Sequence, residues 1–111
     1  MDLPVNRVLR PVGLDDALAL LAADASLTPV AGGTDLVVQL RDGRRHADGL
    51  VDLGGLDLAW IRKVDGAIEI GAGTTMDVIA ASPLVRAAAP GLAAAAGHVG
   101  AWPIQCRATL G

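Results

Sequence analysis

The sequence predicts an α/β (α+β) protein in two parts, a small βαβαβ unit over residues 1–55 and the opening portion of a mixed α+β unit over residues 56–111. Three observations predict it. Short apolar runs alternate with helical periodicity through the first half, as they do where crossover helices join parallel strands. Asp65-Gly66 divides two extended runs in the second half, the dipeptide suited to a type I′ hairpin turn. Beyond it, Ser82-Pro83 and Pro90-Gly91 punctuate stretches with helical character.

Taken in order, Arg7 to Leu9 is a short extended segment before Pro11. Leu14, Ala17, Leu18, Leu21 and Ala22 recur at helical spacing, with Asp15 and Asp16 in the first turn, where the helix dipole favours them. Leu27 to Val30 is an apolar strand ending in Ala31-Gly32-Gly33. Thr34 is placed to cap a second helix running to about Arg41, and Gly43 to end it. Leu50 to Leu53 is the third strand of this half. Trp60 to Val64 and Ala67 to Ala72 form the hairpin, Thr74 or Thr75 caps the next helix, and Leu92 to Ala96 resumes helix after Pro90-Gly91. The stretch from Ile104 to Gly111 is expected to be extended and to enter a turn. The chain stops there, in mid-turn and with no element to close a second sheet, so a truncated sequence is expected.

Composition removes several classes of function. Hydrophobic residues make up 52% of the chain, much of it alanine, and there is no Phe or Tyr, so only Trp60 and Trp102 can serve as large anchors. A net charge of −3, with Asp42 interrupting the densest basic cluster of Arg41, Arg44 and Arg45, offers no nucleic-acid surface. Cys106 stands alone, and one Cys with two His gives no metal-ligand spacing. No apolar stretch approaches the about 18–20 residues that cross a bilayer, and there is no secretory signal pattern. A cytoplasmic location is the expectation.

The sharpest feature is Val30-Ala31-Gly32-Gly33-Thr34-Asp35-Leu36, a strand, a glycine turn and a helix start. Glycine permits positive φ and close approach of the backbone to a ligand. The amides of Gly33, Thr34 and Asp35 would then face an anion, for which a diphosphate is the natural guest. Asp35 sits awkwardly beside phosphate, but its side chain can turn away while its amide still donates. With no Gly-Lys-Ser/Thr the loop is not a P-loop, and Leu36 stands where a Rossmann fingerprint needs its third glycine. Taken alone, such a turn is more often plain loop chemistry. A second Thr and Gly turn, Arg107-Ala108-Thr109-Leu110-Gly111, lies far downstream.

AGGTDL followed at this distance by RATLG resembles the FAD-binding domain of molybdopterin dehydrogenase flavin subunits, a family that includes carbon monoxide dehydrogenase medium subunits and the FAD subunits of xanthine dehydrogenases. Pro11 with the helix after it, the Leu50–Leu53 strand and the segment Ile68-Glu-Ile-Gly-Ala-Gly-Thr-Thr75 match as well. The resemblance implies a p-cresol methylhydroxylase-type FAD fold, with residues 1–55 as its first FAD-binding subdomain and 56–111 as the N-terminal part of the second. It implies FAD as cofactor. Pro29, Val30, Ala31, Gly32, Gly33, Thr34, Asp35 and Leu36 would form the first loop at the FAD diphosphate, and Thr109, Leu110 and Gly111 would begin the second. Val99 matches a position lying against the cofactor, although a buried helix-end residue is an equal reading. Relatives commonly have Gln-Ile-Arg-Asn before the second motif, where this chain has Pro103-Ile104-Gln105-Cys106.

The implied role is an electron-transfer subunit of a molybdenum hydroxylase, with an iron–sulfur subunit and a molybdopterin subunit as partners. No catalytic acid, base or metal ligand is expected from this chain, since the flavin carries the redox chemistry. By itself the fragment would be inactive. The competing expectations are a fragment that retains no flavin, because half a cradle leaves ordering entropy uncompensated, and a small phosphate-binding or assembly domain whose loops only mimic the family. Cys106 is expected to be a buried, inert thiol; His46, His98, Glu69 and Asp77 show no partner spacing for acid–base work.

Overall fold

The computed structural model describes residues 3–111 and separates the chain into two compact units, Met1–Leu56 and Asp57–Gly111. The first holds strand β1 (Arg7–Leu9), helix α1 (Leu14–Ala23), strand β2 (Leu27–Val30), helix α2 (Leu36–Arg41) and strand β3 (Gly49–Asp52). All pairing is parallel in the order β1-β3-β2. The central strand is the apolar one: Leu50 and Val51 are buried, as a strand covered on both faces requires. Pro29 lacks an N–H, and it is tolerated because β2 is an edge strand.

Helix α1 turns a different face to the core than its sequence suggests. Ala17 is buried and packs with Leu27 and Val51, joined by Leu20 and Leu21, whereas Leu14 and Leu18 are more than half exposed. The buried stripe is therefore 17, 20, 21, one i, i+3, i+4 repeat. Arg7 bridges the Asp24 and Asp48 carboxylates, tying the start of β1 to both neighbouring connections. A Cβ on Gly49 would lie 2.8 Å from Arg7 Cγ and 2.7 Å from Leu27 Cδ2. Glycine at the head of the central strand leaves room for that arginine to cross.

The second unit opens with the hairpin β4 (Ile61–Val64) and β5 (Ala67–Ile70), paired antiparallel. Asp65 and Gly66 have φ of 49° and 79°, the two positive values that a type I′ turn needs. Four short helices follow: α3 (Met76–Ala81), α4 (Pro83–Ala88), α5 (Pro90–Ala96) and α6 (Trp102–Gln105). Ser82 Oγ accepts from the Val85 amide at 3.3 Å, and Pro83 and Pro90 start their helices where no N–H is missed. Ile79, Val85, Ala93 and Ala96 form the core, against which Ile61 and Ile70 of the hairpin pack.

The expected extended run from Ile104 is interrupted. Residues 102–105 form α6, with Pro103 in its first turn, and only Ala108 to Gly111 is extended. There it runs antiparallel to residues 72–76: Met76 N–H donates to Ala108 C=O at 2.9 Å, and Leu110 N–H to Thr74 C=O at 3.0 Å.

Candidate functional site

The first loop grows directly out of the parallel sheet. Pro29 and Val30 pair with Val51 and Asp52, and the Leu53 amide donates to Val30 C=O at 2.8 Å, fixing the exit of β2. The chain then turns through Ala31 to Gly33, where φ is +75°. A Cβ at Gly33 would lie 3.1 Å from Val37 Cγ2 as well as straining the backbone. The Val37 amide donates to Gly33 C=O at 3.1 Å and begins the helical bonding. Among the described residues, the amides of Gly33, Thr34 and Asp35 donate to nothing. The loop sits at the C-terminal end of the parallel strands, where open α/β sheets take their ligands.

Asp35, not Thr34, holds the N-cap position of α2, and neither caps it through a side chain. Asp35 Oδ2 instead accepts from Gln39 Nε2 at 2.8 Å. The helix has six residues, so its dipole adds little; the unpaired main-chain donors are the chemical content of the loop. Donors without a competing anion and without a Cβ in the way suit a diphosphate.

The second segment is built otherwise. Gly111 N–H donates to Ala72 C=O at 2.9 Å, and the Leu110 amide is likewise committed to Thr74. Thr109 faces Thr75 as an isolated antiparallel bridge whose hydrogen bonds come from the flanking residues, so its own N–H points to the other side. Thr109 Oγ1 donates to Gly111 C=O at 3.1 Å. The strip 72–75 that receives this segment is held on its far edge by residues 58–60: Gly71 and Gly73 donate to Trp60 C=O and Leu58 C=O at 2.8 and 2.9 Å. Thr74, buried to 1% exposure, accepts from Trp60 N–H at 3.0 Å and donates to Trp60 C=O at 3.2 Å. Thr75 is the N-cap of α3, and its hydroxyl bonds Asp77 rather than the helix amides. Val99, half-buried, follows α5, with its amide on Ala96 C=O at 3.4 Å.

Sequence reading missed Gln39 and the Thr74 anchor. A polar residue four positions after Asp35 was the available signal for the first. Cys106 is exposed rather than buried; desolvation of its sulfur and then the Asp77 carboxylate push the thiol above its usual value, away from nucleophilic chemistry. Among the described residues no group of three or more His, Cys, Asp or Glu could hold a metal ion, and no helix is long and apolar enough to cross a membrane.

A sheet edge bearing a glycine turn with unpaired amides defines a class, the α/β cofactor-binding domains. The family follows from comparison: residues 4–111 match the FAD binding domain in molybdopterin dehydrogenase, and the chain belongs to that family. It is 35% identical over 104 residues to the nicotinate dehydrogenase FAD-subunit of Eubacterium barkeri, covering 91% of this chain and 35% of that protein. It is 31% identical to the nicotine 6-hydroxylase medium subunit of Paenarthrobacter nicotinovorans, over 100% of this chain and 40% of that one. The chain thus spans well under half the length of these relatives. Among solved structures, carbon monoxide dehydrogenase from Hydrogenophaga pseudoflava matches with a TM-score of 0.93 at 28% identity, over 98% of this chain and 39% of that one. Quinoline 2-oxidoreductase from Pseudomonas putida 86 matches with 0.94 at 28%, over 100% and 39%.

Proposed function

We propose that this chain holds FAD within the flavin subunit of a molybdenum hydroxylase of the xanthine or carbon monoxide dehydrogenase type, serving electron transfer. The observation that carries the reading is the Gly33 turn, which offers three unpaired amides in a chain of an FAD-binding family. The proposed cofactor-binding residues are Pro29 to Leu36 in the first unit and Val99, Thr109, Leu110 and Gly111 in the second. The roles within these sets differ. Gly33, Thr34 and Asp35 donate main-chain hydrogen bonds to the diphosphate, and Pro29 and Val30 hold the turn to the sheet. Thr109 offers its outward amide, while Leu110 and Gly111 present backbone without spare donors.

Bound FAD would supply the redox chemistry of electron transfer between iron–sulfur clusters and an acceptor. The chain's own task is to bind and orient, and it needs no proton donor or nucleophile for that. An iron–sulfur subunit and a molybdopterin subunit are the implied partners, in keeping with relatives that are themselves named as subunits. A cytoplasmic location belongs to the same reading.

The test is titration of flavin-stripped full-length protein with FAD, followed by flavin fluorescence quenching. Saturable, stoichiometric binding that Gly33→Ala weakens is expected. A folded protein that takes up no FAD would overturn the reading in favour of a domain that retains no flavin.

A further inference from the structure

We propose that Gln39 is a positioning residue for the diphosphate, keeping the Asp35 carboxylate away from the amides of the Gly33 turn. The inference rests on the FAD reading above and adds to it a residue outside the glycine loop. An aspartate at an N-cap ordinarily turns its carboxylate back onto the amides of the first helical turn. Asp35 does not: no side-chain cap bond forms, and Oδ2 accepts from Gln39 Nε2 at 2.8 Å. Released from that bond, the carboxylate would be free to turn back toward the helix start, beside the Gly33 turn. It would then compete with the phosphates for hydrogen bonds and repel them by charge, and the stretch 29–36 contains no Lys or Arg to offset it.

Gln39 is itself well anchored. Its N–H donates to Asp35 C=O at 3.0 Å, and its C=O accepts from the Arg44 and Arg45 amides at 3.0 and 3.2 Å. The side-chain amide therefore projects from a backbone fixed on both sides. An i, i+4 Gln–Asp pair can also serve only to stabilise a helix. The two roles differ in what Gln39 does to ligand affinity and in whether that effect needs the Asp35 charge.

The experiment measures FAD affinity of the full-length protein as wild type, Gln39→Met, Asp35→Asn and the double variant, at low and at physiological ionic strength. Gln39→Met should weaken FAD binding by roughly three- to tenfold at low salt, since the freed charge acts at close range. The deficit should shrink as salt screens the repulsion. In the Asp35→Asn background, Gln39→Met should have no effect, which is the non-additivity that direct coupling produces. Unchanged affinity of Gln39→Met, or an equal loss in both backgrounds, would overturn the proposal. Should Gln39→Met lower the melting temperature markedly, Gln39→Glu keeps the test open: it preserves shape and sets a second carboxylate beside the first, so FAD binding should fall further than with methionine. Wild-type protein that binds no FAD sinks the functional reading itself; wild type that binds well with an indifferent Gln39 variant sinks only this inference.

Discussion

The two glycine-bearing segments use similar residues for opposite purposes. At Gly33 the backbone takes a left-handed conformation and leaves three amides without partners. At Leu110 and Gly111 the amides are consumed by Thr74 and Ala72, and the glycine is needed because a Cβ there would come within 2.8 Å of Ala72 Cβ. The Gly33 turn holds donors in reserve; the extended Leu110–Gly111 segment is spent on its own scaffold. A Thr and Gly pattern therefore does not by itself reveal binding capacity. That depends on which donors the fold has already used.

The contrast is broken most forcefully on the scaffold side. A Cβ at Gly71 would stand 2.1 Å from the Leu58 carbonyl oxygen and 3.0 Å from Trp60 Cε2. Gly71→Ala should cost about 3 kcal/mol or more in unfolding free energy, read by denaturant titration. Thr74→Val removes both bonds to Trp60 and strands the part-buried Trp60 N–H, for a loss of about 1–3 kcal/mol by the same measurement. Gly33→Ala sharpens the comparison from the other side. Its left-handed backbone makes a stability loss of roughly 1 kcal/mol expected. FAD affinity, followed by fluorescence titration, should fall about tenfold or more, equivalent to about 1.4 kcal/mol.

The smallest expected effect concerns the first unit's polar edge. Bonds from the Ser26 hydroxyl and amide, with the Arg7 guanidinium, lower the Asp24 carboxyl to about 2. Because the folded value lies below the ordinary one near 3.8, its contribution is complete above that pH and is lost as pH falls toward 2. Asp24→Asn should flatten the acid limb of the stability curve and leave neutral-pH FAD binding unchanged. An acid limb identical in the two proteins would contradict this.

Much of the fold was legible because its signals are local. Alternating apolar runs gave the parallel strands, Asp65-Gly66 gave the hairpin turn and Ser82-Pro83 marked a helix start, whereas Pro90-Gly91, read as a break before Leu92, forms the first turn of α5. What escaped depends on partners distant in sequence. The α1 face is set by Leu27 and Val51, which select Leu20 over Leu14 and Leu18. Helix α6 is a single turn too short for periodicity to register. At the site, the Gly33 turn was visible as a motif, and so was the need for Asp35 to turn away. The residue that turns it, and the commitment of the Leu110 and Gly111 amides, exist only as hydrogen bonds in three dimensions.

Amide hydrogen exchange with and without FAD, resolved by residue, tests the central claim most directly. Gly33, Thr34 and Asp35 should exchange freely in flavin-stripped protein and become protected when FAD is added, while Leu110 and Gly111 are protected in both states. Amides 33–35 that remain unprotected in FAD-saturated protein would contradict it.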